Sequence, residues 1–188
     1  MNTTGGTAPR HARTTIALHW LTFVLVAAGF ALGLYVSGLA PSPARTGPQA
    51  WHQSIGVTVF VLALVRIVWR LGHAAPPWPA GLPAWQRRAA ATVHAALVVL
   101  IVAIPLSGWL HSSAAGAPTV YLGLIALPDL VGRDPALTES LKTLHAVLNY
   151  ALFGLFSLHA GAALKHHFVD GDGTLARMLP WRLPVDHR

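Results

Sequence analysis

At 188 residues the chain is about one domain long, yet 54% of it is hydrophobic and only 10% charged, against roughly 25% charge in a soluble domain. That composition belongs in a membrane. The net charge of +7 does not indicate nucleic acid, because the basic residues flank apolar spans as topology determinants do, and the absence of cysteine excludes disulfides, Cys-ligated iron–sulfur clusters and the C-x-x-C-H attachment of c-type haem.

Four stretches reach the length of about 20 residues needed to cross a hydrocarbon core: Thr14 to Val36, Trp51 to Arg70, Ala89 to His111 and Leu141 to His166. The predicted fold is therefore all-α, an integral membrane antiparallel four-helix bundle forming one domain over residues 1–188. The first span follows Arg10 and Arg13 as a signal peptide would, but its apolar run is longer than an h-region and carries His19 and Trp20, so it reads as a retained helix. Arg10, Arg13, Arg66, Arg70, Arg87, Arg88, Lys165, Arg177, Arg182 and Arg188 fall on one side of the spans, and Arg45, Arg133 and Lys142 on the other. Ten against three predicts both termini in the cytoplasm. The Pro-rich link AAPPWPAGLPAW is then cytoplasmic, whereas TGPQA and the segment around Asp129 to Glu139 face outward. Trp20, Trp51, Trp69, Trp85 and Trp109 lie near span ends, as an interfacial belt requires.

His145 and His159 lie fourteen residues apart in the last span, almost four helical turns. Both imidazoles therefore leave nearly the same face, roughly 21 Å apart along the axis. Imidazole inside hydrocarbon is costly without a partner, and histidine is the commonest ligand for metals and haem iron. Depth matching in the antiparallel topology puts His19 level with His159 and His52 level with His145. Bundles build cofactor sites from inward side chains on facing helices, so each pair suits one noncovalent bis-histidine haem. The only methionines, Met1 and Met178, lie outside the spans, which removes histidine–methionine ligation.

Arg66 is likewise fourteen residues from His52. It reads either as a clamp for a haem propionate or as an arginine snorkelling from a helix end. His94, two turns inside the third span, competes with His19 or His159 as a ligand; otherwise it contacts a propionate or quinone or handles protons. His111 and the His166–His167 pair read as interfacial polar residues. Pro105, Ser107 and Gly108 suggest a helix kink, with a quinone pocket as the alternative. Small residues at Ala27, Ala28, Gly29, Gly56, Gly154 and Ala160 to Ala163 leave room for a macrocycle or for close helix packing.

The order of ALHWL, WHQSIG, VRIVWRL, PLSG, SLKTLH, GLFSLHAGAALKHHF and TLARMLP resembles the bacterial cytochrome b561 family over nearly the whole length. The resemblance implies two haem b groups with His19, His52, His145 and His159 on the iron, residence in the inner membrane, and ubiquinone as redox partner and substrate. Some members oxidise superoxide at the periplasmic face, and Lys142 then occupies the basic position beside the outer haem motif. The outward-facing charges cancel, Arg45, Arg133 and Lys142 against Asp129, Asp134 and Glu139, so an anionic donor meets no global field and depends on a local patch around Lys142. Two other readings stand beside this oxidoreductase: a haem-b subunit serving a separate periplasmic redox protein, and a non-redox metal-ion transporter whose histidines line a path.

Overall fold

The computed structural model describes residues 10–79 and 81–181; Met1, Arg182 and Arg188 lie outside the described residues. Four helices run α1 Arg13–Gly38, α2 Pro43–Gly72, α3 Ala84–Ala114 and α4 Pro135–Phe168, each long and apolar enough to cross a membrane. They form the expected antiparallel membrane bundle, in which α1 packs on α2, α2 on α3 and α3 on α4. Large apolar side chains such as Val24, Val68, Val99 and Leu158 are exposed around the outside, where lipid rather than water is the solvent.

Every helix outruns its apolar stretch, because hydropathy marks the hydrocarbon boundary and not the end of backbone hydrogen bonding. The largest extension is at α2, which begins at Pro43 rather than Trp51, so that TGPQA is helical and Arg45 stands on α2. Pro43 at the first helical position loses no intrahelical bond there. At α4, Asp134 caps the helix by accepting from the backbone N–H of Ala136 (2.9 Å) and Leu137 (3.1 Å), again with proline next in line.

α1 meets α4 through side chains: Phe23 stacks on Phe156 with ring centroids 5.5 Å apart, and Phe30 on Phe153 at 5.8 Å. The core of the bundle, Ala63, Leu100, Ile101 and Leu152, lies at about the same depth. Offset aromatic pairs of this kind add about 0.5–1.5 kcal/mol beyond the area they bury.

Between α3 and α4 the chain makes a small hairpin that hydropathy did not signal, with β1 Val120–Tyr121 paired antiparallel to β2 Ile125–Ala126. Its three-residue connection, Leu122 to Leu124, has positive φ at Leu122 (53°) and Gly123 (71°), and the Leu124 N–H donates to the Tyr121 carbonyl at 3.0 Å. A left-handed leucine costs about 1–2 kcal/mol, and here its N–H donates to Ser54 Oγ at 3.0 Å while the Tyr121 hydroxyl lies 3.3 Å from Thr58 Oγ1. These two ties seat the hairpin on α2.

The opposite end is closed by the C-terminal segment, which includes a 3-10 turn at Leu175–Arg177. Trp20 Nε1 donates to Met178 O at 2.7 Å, Arg10 donates to Leu179 O, and Arg177 donates to Pro77 O at 2.8 Å. In the last turn of α4, Lys165 pairs with Asp170 at 2.7 Å, and His166 Nδ1 lies 3.1 Å from Asp170 and 2.8 Å from Asp172. The Lys165 ammonium holds the exposed Asp170 carboxyl below the usual range.

Candidate functional site

Helix geometry brings the buried histidines together at two levels. His52 of α2 faces His145 of α4 with ring centroids 6.2 Å apart, and His19 of α1 faces His159 of α4 at 6.3 Å. Two imidazole nitrogens each about 2.0 Å from a central metal, with about 1.1 Å more from nitrogen to ring centre, put the centroids about 6.2 Å apart. Both pairs match that separation. His94 stands closer to His159, at 5.1 Å, which is too short for opposed axial ligands. Among the described residues no group of three or more His, Cys, Asp or Glu side chains is arranged to hold a bare metal ion.

The His52–His145 pair rests on two copies of one device. His52 Nδ1 lies 3.0 Å from the carbonyl of Gly29, and a Cβ on Gly33, four residues on, would lie 2.9 Å from its ring. His145 Nδ1 lies 3.1 Å from the carbonyl of Ile104 and 2.9 Å from Ser107 Oγ, and a Cβ on Gly108 would lie 3.1 Å from its ring. In each case a helix carbonyl takes the Nδ1 proton and a glycine one turn later leaves space for the ring. Such an outer bond fixes the tautomer and leaves the Nε2 lone pair for a metal. PLSG is thus the seat of His145, within an α3 that stays helical through Pro105. Among the other glycines singled out from the sequence, a Cβ on Gly29 would lie 3.2 Å from Ile55 Cγ2, whereas Gly56, Gly154 and Gly161 have open space around them.

The pattern behind these seats was present in the chain. Gly33 follows His19 by fourteen residues and Gly108 follows His94 by fourteen, the same interval that joins His52 to Arg66 and His145 to His159. Each helix therefore presents one residue at each level: His19, Arg66, His94 and His159 at one, Gly33, His52, Gly108 and His145 at the other. Arg66 lies within electrostatic range of His19.

A cavity of about 610 Å³ surrounds the His52–His145 pair, a size typical of cofactor sites at roughly 300–1,000 Å³. Its deep wall is apolar, with Val26, Phe60, Ile101 and Leu152, and its mouth carries Arg45, Gln49, His111, Glu139 and Lys142. Lys142 is paired with Glu139 at 3.4 Å, both side chains being largely exposed at 66% and 73%, so its charge is partly offset by its neighbour.

A model of the prokaryotic cytochrome b561 family matches residues 10–181. The chain belongs to the prokaryotic cytochrome b561 family. Among its cytochrome b561 relatives are Cytochrome b561 homolog 2 of Escherichia coli (strain K12), 35% identical over 178 residues, or 92% of this chain and 93% of the relative, and Cytochrome b561 homolog 1 of the same strain, 31% identical over 175 residues, or 92% and 98%. A third, named Probable superoxide oxidase CybB, from Yersinia pestis, is 30% identical over 165 residues, or 88% and 93%. Membership makes the chain a bacterial membrane haem protein of the b type, and the histidine pairs fit such a group in both spacing and chemistry.

Proposed function

We propose that this cytochrome is a di-haem electron carrier of the bacterial inner membrane, with both termini cytoplasmic, which takes electrons from superoxide at the periplasmic face and delivers them to ubiquinone. The observation that carries the reading is the pair of facing histidines at each of two levels, 6.2 and 6.3 Å between ring centres. His52 with His145 would hold the outer haem and His19 with His159 the inner one, and each haem supplies reversible one-electron exchange when bound. With His52 and His145 holding one haem and His19 and His159 the other, neither iron would keep an open coordination site, which favours electron transfer over oxygen binding. The name of the Yersinia pestis relative supports superoxide as donor.

The chain's own residues have definable tasks in this reading. Gly29 and Ile104 carbonyls hold the Nδ1 protons of the outer pair, and Phe23, Phe30, Phe153 and Phe156 fill the layer between the levels. Arg66 supplies a fixed cation at the inner level, where it would clamp a propionate. Lys142 at the outer mouth attracts an anion, with Glu139 limiting the effect. Two superoxide ions each lose one electron and leave as dioxygen, and ubiquinone takes both electrons with two protons to become ubiquinol.

The test is a superoxide pulse on purified oxidised protein, followed at the b-type α-band, and then addition of ubiquinone. Reduction by the pulse and reoxidation by ubiquinone are expected. Haems that ignore superoxide but equilibrate with ubiquinol would transfer the donor role to a separate periplasmic redox protein, and absence of a b-type band would end the haem reading in favour of transport.

A further inference from the structure

We infer that Arg45 binds a propionate of the haem held between His52 and His145, so that this haem points its carboxylates toward the outer mouth of the bundle. The inference deepens the di-haem reading and rests on it. Arg45, Gln49 and His52 stand at i, i+4 and i+7 on α2, one stripe of the helix, which places Arg45 about 10 Å outward of His52. All three line the cavity around the histidine pair.

The cavity is amphipathic in the same sense as haem. Its deep wall is hydrocarbon, so ionised propionates there would lack partners and pay the full cost of a buried charge. At the mouth they would meet a guanidinium, whose planar fork matches a carboxylate. Arg45 is otherwise poorly satisfied: its Nε is buried without a hydrogen-bond partner, and its Nη1 reaches only the Leu39 carbonyl at 3.4 Å. Among the described residues no carboxylate forms a salt bridge with it, since Glu139 is engaged by Lys142. Gln49 and His111, which also line the mouth, provide further polar groups for the second propionate or for water. Arg45 is a positioning residue for the haem in this scheme, and an external anion is the rival occupant.

Haem release to apomyoglobin and the midpoint potential of the outer haem, the one retained by His159→Ala, separate these occupants in the purified holoprotein. Arg45→Gln should keep two haems, release the outer one roughly tenfold faster or more for loss of a charge-assisted bond, and lower its potential because the propionate charge is no longer offset. Arg45→Lys should recover part of both effects. Parent protein loaded with haem dimethyl ester, which has no ionised propionate, should release its outer haem as fast as Arg45→Gln, and the ester should add little in that variant. The inference is overturned by release and potential unchanged in Arg45→Gln, or by ester-loaded parent retaining its outer haem like native haem, a result that needs no variant to fold. An ester effect equal in parent and variant would also overturn it and assign Arg45 to an external anion. A parent protein with one haem or none would instead defeat the di-haem reading.

Discussion

The His52 ring lies so close to Gly33 that a Cβ there would come within 2.9 Å of Cε1, and this approach holds α2 against α1 at the depth where the ring is needed. Carbon atoms do not tolerate that distance, so Gly33→Ala must displace the imidazole from the Gly29 carbonyl. The expected result is loss or weakened binding of the outer haem with the inner one kept. Gly38→Ala, with open space around it, is the control, and haem stoichiometry with the low-spin spectrum is the measurement.

Removing ligands tests the pairing directly. His145→Ala should leave about one haem per chain, the inner one, and His159→Ala about one, the outer one, if each pair holds a single iron. Pyridine haemochrome assay reads the count, and full retention in either variant would sink the pairing.

The proposed orientation in the membrane rests on charge. With ten basic residues on one side and three on the other, a reporter fused after Arg188 should work only as a cytoplasmic reporter, and one inserted near Arg133 only as a periplasmic one. The reverse pattern would exchange the inner and outer levels.

Lys142→Glu should slow reduction by superoxide while both haems remain. Screening should slow the parent too, because the Debye length falls from about 10 Å at 0.1 M salt to about 3 Å at 1 M. Since Glu139 already offsets Lys142, the expected change in rate is several-fold, toward the lower end of the roughly 10- to 1,000-fold range of electrostatic steering. Stopped-flow traces at two ionic strengths check it.

Acid should loosen the inner end. Burial, with Arg177 and Arg70 nearby, pushes the His11 imidazole below its ordinary value of 6.5, so the docked segment favours neutral His11. Stability from that docking is present above about pH 6.5 and is lost as pH falls through and below it, when the released segment takes up the proton. Protection factors at residues 175–181, taken against the intrinsic exchange rate at each pH, should therefore fall between pH 7 and pH 5, and His11→Phe should remove that dependence.

By itself the sequence determined the class and the two levels of this protein. Hydropathy marks helices whose backbone bonds must close internally in lipid, and a fourteen-residue interval keeps two side chains on one helix face whatever surrounds it. Charge asymmetry and the depth of each histidine follow from the same one-dimensional rules. Only the tertiary structure decided how the rings are held and what stands at the cavity mouth. The seats of His52 and His145 join residues on different helices, Gly29 and Gly33 of α1 and Ile104 and Gly108 of α3, and no local pattern records which carbonyl an imidazole will reach. Arg45 read as a loop residue because helical hydrogen bonding outlasts the apolar run at Trp51, and its place on the His52 stripe appeared once α2 was seen to start at Pro43. The hairpin at Leu122 escaped for a related reason: two-residue strands carry too little alternation to read, and side chains of α2, remote in sequence, hold the turn in place.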